Sequence, residues 1–225
     1  MKKQLMNDDL RKKKGEIQHL SRNKKLTKLK LLTGYDELVN EVGYRAAGIY
    51  LLIKYTNISK TIIHRYFQNK LGLLSALLHT TDYGYKTDEE IKIILSENEK
   101  DHGERLCIET LQSYFLLMIS KPILREVQLL QITDNTNSIK SILADTEKQR
   151  WKLLELSIRH FKGTRIDFNV KATVIISFIN TIANSNHNNT EITFFGLDYT
   201  KVEDQQTVLN YIKKTFTQAY SNKKK

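Results

Sequence analysis

Residues 57–70 read NISKTIIHRYFQNK. Ser59 is a favourable helix N-cap, because its hydroxyl can accept hydrogen bonds from backbone N–H groups of the first turn. The sequence therefore predicts a helix that begins at Lys60. Ile63 and Phe67 are four residues apart and share one helix face, which should be the buried one. The other side of this helix is polar enough to bind a partner and carries Thr61, Arg65, Ile62, His64 and Gln68.

A second short apolar period lies just before this helix. Ile49, Leu52 and Ile53 fall on one side of a helix within residues 43–55. The link to the next helix is short, and its Asn57 is the non-glycine residue type that best tolerates a left-handed turn. The sequence therefore predicts a helix-turn-helix, in which the second helix presents its outer face to the DNA major groove.

Residues on both sides of this turn share a fixed register with a known family. The matching positions are Leu31, Leu32, Leu38, Val39, Gly43, Tyr44, Arg45, Ala46, Ile49, Leu52, Ile53, Ile58, Ser59, Lys60, Ile63, His64, Arg65, Tyr66, Phe67, Asn69, Lys70, Leu73 and Leu74. Over residues 24–78 the chain resembles, without a gap, the DNA-binding region of tetracycline-repressor (TetR) family transcription regulators. The chain departs from the family at Ala47 and Gly48, where a Thr or Ser usually caps the second helix and contacts a phosphate.

The exposed face of the second helix suggests how DNA is read. Arg65 and Thr61 are expected to read base edges, with Ile62 available to a thymine methyl group. The family resemblance implies that Tyr66 and Lys70 hold phosphates. The full set of expected DNA contacts is Arg45, Ser59, Lys60, Thr61, Ile62, His64, Arg65, Tyr66 and Lys70.

Positive charge is concentrated in the first third of the chain. The net charge is +11, of which +8 lies in residues 1–30 and +2 in residues 31–80. Residues 1–23 are rich in Lys and Arg with little apolar periodicity, which predicts a flexible basic arm. Such an arm can neutralise phosphates and release counterions. The alternative is a solvated arm that only keeps the protein soluble.

The cysteine content and the apolar segments indicate the compartment in which the protein is expected to work. The single cysteine, Cys107, cannot form an internal disulfide, and the sequence does not open with a basic segment followed by an apolar one. Both features fit a cytoplasmic protein. The longest apolar runs are far shorter than the roughly 20 residues that cross a bilayer, so no membrane span is expected.

Motifs for catalysis are absent from the sequence. It contains no Gly-rich phosphate loop and no Gly-x-Ser-x-Gly, and its six histidines do not have metal-ligand spacing. We therefore expect no enzyme activity, no catalytic residues, no cofactor and no metal.

Helical periodicity along the whole chain predicts an all-α fold. Three parts are expected: a basic arm at 1–23, a three-helix helix-turn-helix domain at 24–80, and a larger helical effector-binding and dimerisation domain at 81–225. The first helix of the DNA-binding domain should end at Gly43. Its predicted apolar stripe is Leu26, Leu29, Leu32, Leu38, Val39 and Val42.

The larger domain offers candidates for a ligand cavity. Tyr114, Phe115, Met118, Trp151 and Phe178 could line such a cavity or could simply form core, and helical spacing does not separate the two.

The TetR resemblance implies a homodimer in which this body binds a small molecule and changes the spacing of two DNA-reading heads. Residues 170–183 and 202–220 would form the dimer seam. The expected function is a ligand-responsive repressor on a palindromic operator. The alternative is a nonspecific nucleic-acid or membrane-surface binding protein that acts through its basic arm.

Overall fold

A computed structural model describes residues 2–133, 137–164, 167–185 and 196–223, with side chains described from residue 23 onward except at 131–138 and 185. Within these ranges the chain is helical and has no β-strand, which confirms the all-α prediction. The helices are α1 Lys2–Ala46, α2 Ile49–Thr56, α3 Lys60–Phe67, α4 Lys70–Leu78, a 3₁₀ turn Thr81–Tyr83, α5 Asp88–Glu97, α6 Glu104–Ser120, α7 Pro122–Thr133, α8 Asn137–Leu153, α9 Glu155–Phe161, α10 Phe168–Ser185 and α11 Val202–Lys223. None of these helices is both long enough and apolar enough to cross a membrane.

The chain divides into two compact units, Met1–Ala76 and Leu77–Lys225. The sequence placed this boundary slightly later, between residues 80 and 81.

The basic segment at the start of the chain is helical. Helix α1 begins at Lys2, whereas the sequence predicted a flexible arm over residues 1–23. That expectation gave weight to the charge of the segment, which disfavours a packed core. Lys, Arg, Gln and Leu are also good helix formers, and the segment contains no proline. Local propensity therefore accounts for the helix.

Helix α1 is interrupted where the sequence predicted its end. Gly43 has φ 79° and ψ 156°, a conformation that is not helical and that favours glycine. The predicted apolar stripe was wrong in part, because Leu26, Leu29 and Val42 are exposed. Between residue 23 and the break at Gly43, the buried apolar side chains of this helix are Leu31, Tyr35, Leu38 and Val39. At about 100° per residue, Leu26 and Leu29 lie on the side of α1 opposite Leu31.

Helix α2 packs closely on α1. A Cβ added at Gly34 would lie 2.6 Å from the Cγ2 atom of Thr56, so only glycine fits at this crossing. Leu52 and Thr56 are the buried residues of α2, and Ile63 and Phe67 are those of α3. The three helices thus bury one shared seam and leave the outer face of α3 exposed.

The core of the second unit forms where α6 packs against α10 and α11. Its buried side chains include Leu111, Phe115, Ile175, Ile179, Ile212 and Phe216. Helix α5 begins with a capping box, in which Thr87 and Glu90 each bond to the other's backbone N–H group. Helices α5, α6 and α8 supply most of the wall of a cavity in this unit.

A polar contact ties the end of the chain into this core. The Tyr220 hydroxyl donates to Ser157 Oγ at 2.7 Å, and the Ser157 hydroxyl donates to the carbonyl of Gly103 at 3.3 Å. Burial raises the pKa of Tyr220, so the phenol stays protonated. Helices α9 and α11 are thereby joined to the residue that precedes α6.

Candidate functional site

The turn between α2 and α3 is left-handed at a single residue. Asn57 has φ 56° and ψ 32°, and its N–H group donates to the carbonyl of Ile53 at 2.8 Å. The Thr56 hydroxyl donates to the carbonyl of Leu52 at 2.8 Å, which satisfies a buried polar group. The left-handed turn confirms the prediction made from Asn57. Because the turn is short, it determines the direction of α3 relative to α2.

Helix α3 begins at Lys60, as predicted, with Ser59 at the N-cap position. The predicted capping bond is not formed, because the Ser59 hydroxyl accepts no hydrogen bond from the first turn. Its carbonyl instead accepts from the N–H groups of Ile62 and Ile63 at 3.1 and 3.2 Å. Ser59 is exposed, so the uncapped N–H groups of this turn are accessible to water or to an anionic partner.

The two faces of α3 differ in burial as the sequence predicted. Ile63 and Phe67 are buried in the seam with α2. The residues on the outer face are exposed or half-buried: Lys60, Thr61, Ile62, His64, Arg65 and Tyr66. An exposed polar face opposite an apolar seam is the arrangement that lets a helix enter the major groove.

Arg65 and Tyr66 interact side by side on this face. The Arg65 Nη2 group donates to the Tyr66 hydroxyl at 3.2 Å, and the guanidinium carbon lies 5.0 Å from the ring centroid. The ammonium of Lys28 lies 5.8 Å from the centroid of the same ring. Lys28 was not predicted from the sequence, because it lies on α1, far from the helix-turn-helix motif in sequence. Two cations therefore flank one aromatic ring.

Lys70 is held by the end of α1. Its ammonium donates to the carbonyls of Tyr44 at 2.5 Å and Arg45 at 3.1 Å, and it lies 4.2 Å from the Tyr44 ring centroid. A cation at a helix carboxyl end is stabilised by the carbonyls that lack partners within the helix. This contact gives Lys70 a positioning role that the sequence analysis did not anticipate. The Arg45 side chain is exposed nearby.

A histidine side chain forms a hydrogen bond at the carboxyl end of α3. The Nδ1–H group of His64 donates to the carbonyl of Gln68 at 2.5 Å. Gln68 has φ 63° and ψ −55°, which is unusual for a residue with a side chain. The hydrogen bond anchors the His64 ring at the end of the exposed face.

The amino end of α2 lacks the cap that the family usually has. Gly48 is the N-cap and Ala47 is fully buried, so no hydroxyl is available there. Tyr50 is 68% exposed, and the ammonium of Lys54 lies 4.7 Å from the centroid of its ring. Tyr50 and Lys54 were not among the DNA contacts predicted from the sequence.

Two short helices, a tight left-handed turn and an exposed polar face with cations beside it define a helix-turn-helix DNA-binding protein. Residues 31–77 match the family model described as "Bacterial regulatory proteins, tetR family". Residues 31–77 are therefore similar to the DNA-binding domain of TetR-type regulators, which supports a DNA-binding regulator of transcription. Members of this family are regulators and not enzymes. No curated protein and no solved structure matches the chain.

The second unit contains a cavity of about 560 Å³, within the usual size range of small-molecule sites. Residues from α5, α6 and α8 contribute most of its wall. The aliphatic part of the wall consists of Leu78, Ile91, Ile94, Leu106, Leu117, Leu124 and Leu153. Its polar part includes Lys86, Tyr114, Gln149 and Arg150.

Of the five residues considered for a ligand cavity, Tyr114 lines this one. Phe115 and Met118 are buried in the hydrophobic core, and Trp151 and Phe178 pack against it. Helical spacing correctly indicated that these residues face inward. It could not indicate which inward side chains border a space and which fill one.

Tyr114 connects the cavity to two further helices. Its hydroxyl donates to Asn180 Oδ1 on α10 at 2.5 Å and accepts from Gln128 Nε2 on α7 at 2.9 Å. Burial raises the pKa of Tyr114, so the phenol stays neutral and keeps its proton for Asn180. The guanidinium carbon of Arg150 lies 3.6 Å from the centroid of the Tyr114 ring.

In the part of the chain that the structure describes, no cluster of three His, Cys, Asp or Glu residues could hold a metal ion. Cys107 is buried, and burial raises the pKa of its thiol to about 12. Thiolate chemistry at this residue is therefore suppressed at neutral pH.

Proposed function

We propose that the chain is a sequence-specific, ligand-responsive repressor that binds a palindromic operator as a homodimer. The observation that carries this proposal is the exposed polar face of α3, opposite Ile63 and Phe67, in the unit that matches the TetR model. A regulator of this kind works where bacterial DNA is, in the cytoplasm.

The proposed DNA contacts divide into residues that contact bases and residues that contact phosphates or the edge of the groove. Arg65 and Thr61 read base edges, and Ile62 meets a thymine methyl group. The remaining proposed contacts are to phosphates or at the edge of the groove: Arg45, Ser59, Lys60, His64, Tyr66 and Lys70. We add Lys28, Tyr50 and Lys54 as further phosphate partners, since the Lys28 ammonium lies near the Tyr66 ring and the Lys54 ammonium lies near the exposed Tyr50 ring on α2.

Exposed apolar side chains on α10 and α11 support the dimer. Val170 and Val174 on α10 and Tyr211 on α11 are all more than half exposed. Both helices also supply the core of the second unit, so they are rigidly held. An apolar surface on two fixed helices suits an isologous interface, in which the same patch meets its copy.

The cavity supplies a place for an effector. Tyr114 borders it and bonds to Asn180 on α10, one of the two helices proposed for the dimer seam. A ligand that moves Tyr114 would therefore act on the helix that sets the relation between protomers. Repression is relieved when the ligand favours a spacing of the DNA-reading helices that the operator cannot accept.

The test is selection of bound sequences from a randomised double-stranded DNA pool by the full-length protein, without ligand and at physiological salt. A palindrome with two half-sites about one helical turn apart is the expected result. A pool that returns no motif would reject sequence-specific binding by α3.

The concentration of charge in residues 1–30 favours one alternative, nonspecific binding through the basic start of α1. Deleting residues 1–23 distinguishes the two functions. A specific regulator keeps its sequence preference and loses only affinity, whereas a nonspecific binder loses its activity.

A further inference from the structure

We propose that the cavity of the second unit takes an amphipathic organic anion, whose acidic group pairs with Arg150. This inference rests on the proposed function, because it names the chemical class of the effector for that cavity. It is carried by a half-buried guanidinium, by the charges around it and by the apolar wall opposite.

Among the described residues, Arg150 has an aromatic partner but no acceptor. Its guanidinium stacks over Tyr114, 3.6 Å from the ring centroid, and its side chain is half-buried. It makes no hydrogen bond or ion pair with any residue that the structure describes. Stacking uses the flat face of a guanidinium and leaves the N–H groups in its plane free for bidentate pairing. A carboxylate is the complement of that fork.

The other charged residues of the wall reinforce this preference. Arg105 and Glu109 lie 3.9 Å apart as an ion pair, and both are exposed. Glu97 is exposed as well, so solvent screens its charge. Lys86 is half-buried like Arg150, and its ammonium has no hydrogen bond or ion pair within the described ranges. The two charged groups that are drawn into the wall are therefore both cations.

The apolar wall determines the rest of the ligand. Seven leucine and isoleucine side chains border the same space as Arg150. A hydrocarbon or aryl group placed there is removed from water, and the burial of its apolar surface favours binding. A purely polar anion would leave this wall unused, and an organic cation would be repelled by Arg150 and Lys86. A carboxylate with an apolar tail satisfies both parts.

The probes for this inference are octanoate, octanol and octylamine, which share one tail and differ in the head group. Binding to the full-length protein is measured by titration calorimetry. Octanoate should bind at least about tenfold more tightly than either analogue, because a charge-assisted bond to Arg150 forms only with the anion.

Substitutions assign the preference to Arg150. Arg150→Gln should weaken octanoate binding about tenfold and leave octanol binding unchanged. Arg150→Lys keeps the charge without the fork and should retain part of the preference. Arg159→Gln is the matched control, since Arg159 is an exposed arginine on α9 that pairs with Glu155. This variant should bind octanoate as tightly as the original protein does. Thermal unfolding establishes that each variant is folded.

Three results would overturn the inference. They are equal binding of octanoate and octanol, an octanoate preference that survives in Arg150→Gln, and no saturable binding of octanoate at millimolar concentration. The DNA selection is performed without ligand, so its outcome is independent. A recovered operator with no anion preference rejects the ligand class alone, whereas an anion preference without an operator rejects the regulator.

Discussion

The ammonium of Lys70 donates a hydrogen bond to the carbonyl oxygen of Tyr44, 2.5 Å away, and so joins the start of α4 to the end of α1. The same ammonium reaches the carbonyl of Arg45 at 3.1 Å. The residue that the family resemblance assigned to a phosphate thus holds the first helix against the helix after the DNA reader. Loss of this cation should therefore affect stability as well as binding.

Lys70→Met tests the positioning role, because it keeps the alkyl stem and removes the ammonium. The free energy of unfolding should fall by about 1–2 kcal/mol, since hydrogen bonds from a charged donor are lost and two carbonyls lose their partner. Urea denaturation measures the change. Lys60→Met, at an exposed position on α3, should change stability by less than about 0.5 kcal/mol. Unchanged stability in Lys70→Met, with equal loss of affinity for all DNA, would reject the positioning role and leave Lys70 as a phosphate contact alone.

Arg65→Ala tests base reading by α3. The operator affinity should fall by about 1–3 kcal/mol and the base preference at one half-site position should relax, because a bidentate contact to a base edge is removed. Binding to operator and to random duplex is compared across salt concentrations. Arg159→Ala removes an equally exposed arginine from α9 and should alter neither affinity. An equal loss on both DNAs would mean that Arg65 contacts only the backbone.

Gly43→Ala tests the interruption in α1. At φ 79° and ψ 156° a side chain is strained, so the free energy of unfolding should fall by about 1–3 kcal/mol. Urea denaturation again measures the effect. Gly48→Ala is the control, because Gly48 has φ −87° and an added Cβ meets nothing closer than 3.8 Å. That change should cost less than about 1 kcal/mol. Equal stability of the two variants would contradict the strained geometry at residue 43.

The sequence predicted the features of this fold that depend on neighbouring residues. Asn57 tolerates a left-handed turn, Gly43 permits a break in a helix, and Ile63 with Phe67 marks one buried face. Each of these follows from the conformational preference of one residue type or from the spacing of two residues on the same helix. The helix-turn-helix could therefore be predicted without knowledge of the rest of the chain.

The contacts between elements could not be predicted in the same way. Lys28 lies near Tyr66, and Lys70 reaches Tyr44, because particular faces of separate helices meet. Tyr114 and Phe115 are neighbours, but one borders the cavity and the other is core, since a helix turns about 100° between them. Such distinctions depend on how the helices pack.

Cys107 provides a pH-dependent prediction. Burial raises the pKa of its thiol from 9.0 to about 12, so the folded state keeps a proton that the unfolded state releases. Its contribution to stability is complete below about pH 9 and is lost as the pH rises toward 12. The free energy of unfolding of the original protein should therefore decline more steeply over this range than that of Cys107→Ala.

Thiol labelling gives an independent measurement of the same property. At neutral pH the native thiol should react with iodoacetamide roughly a thousandfold more slowly than a thiol of ordinary pKa, as its thiolate fraction is that much lower. Mass spectrometry of native and urea-unfolded protein measures the difference. Rapid labelling of the native protein would contradict the burial of Cys107. Parallel pH profiles of stability for the original protein and Cys107→Ala would contradict it as well.

The proposed dimer seam is tested at Val174. This residue is 59% exposed on α10, so Val174→Glu should leave the protomer folded but bury an unpaired charge in the interface. The dimer dissociation constant should rise by at least about tenfold, as measured by sedimentation equilibrium, and operator affinity should fall with it. Ile93→Glu is the matched control, because Ile93 is 58% exposed on α5, outside the proposed seam. A dimer that survives Val174→Glu and separates in Ile93→Glu would move the interface from α10 to α5.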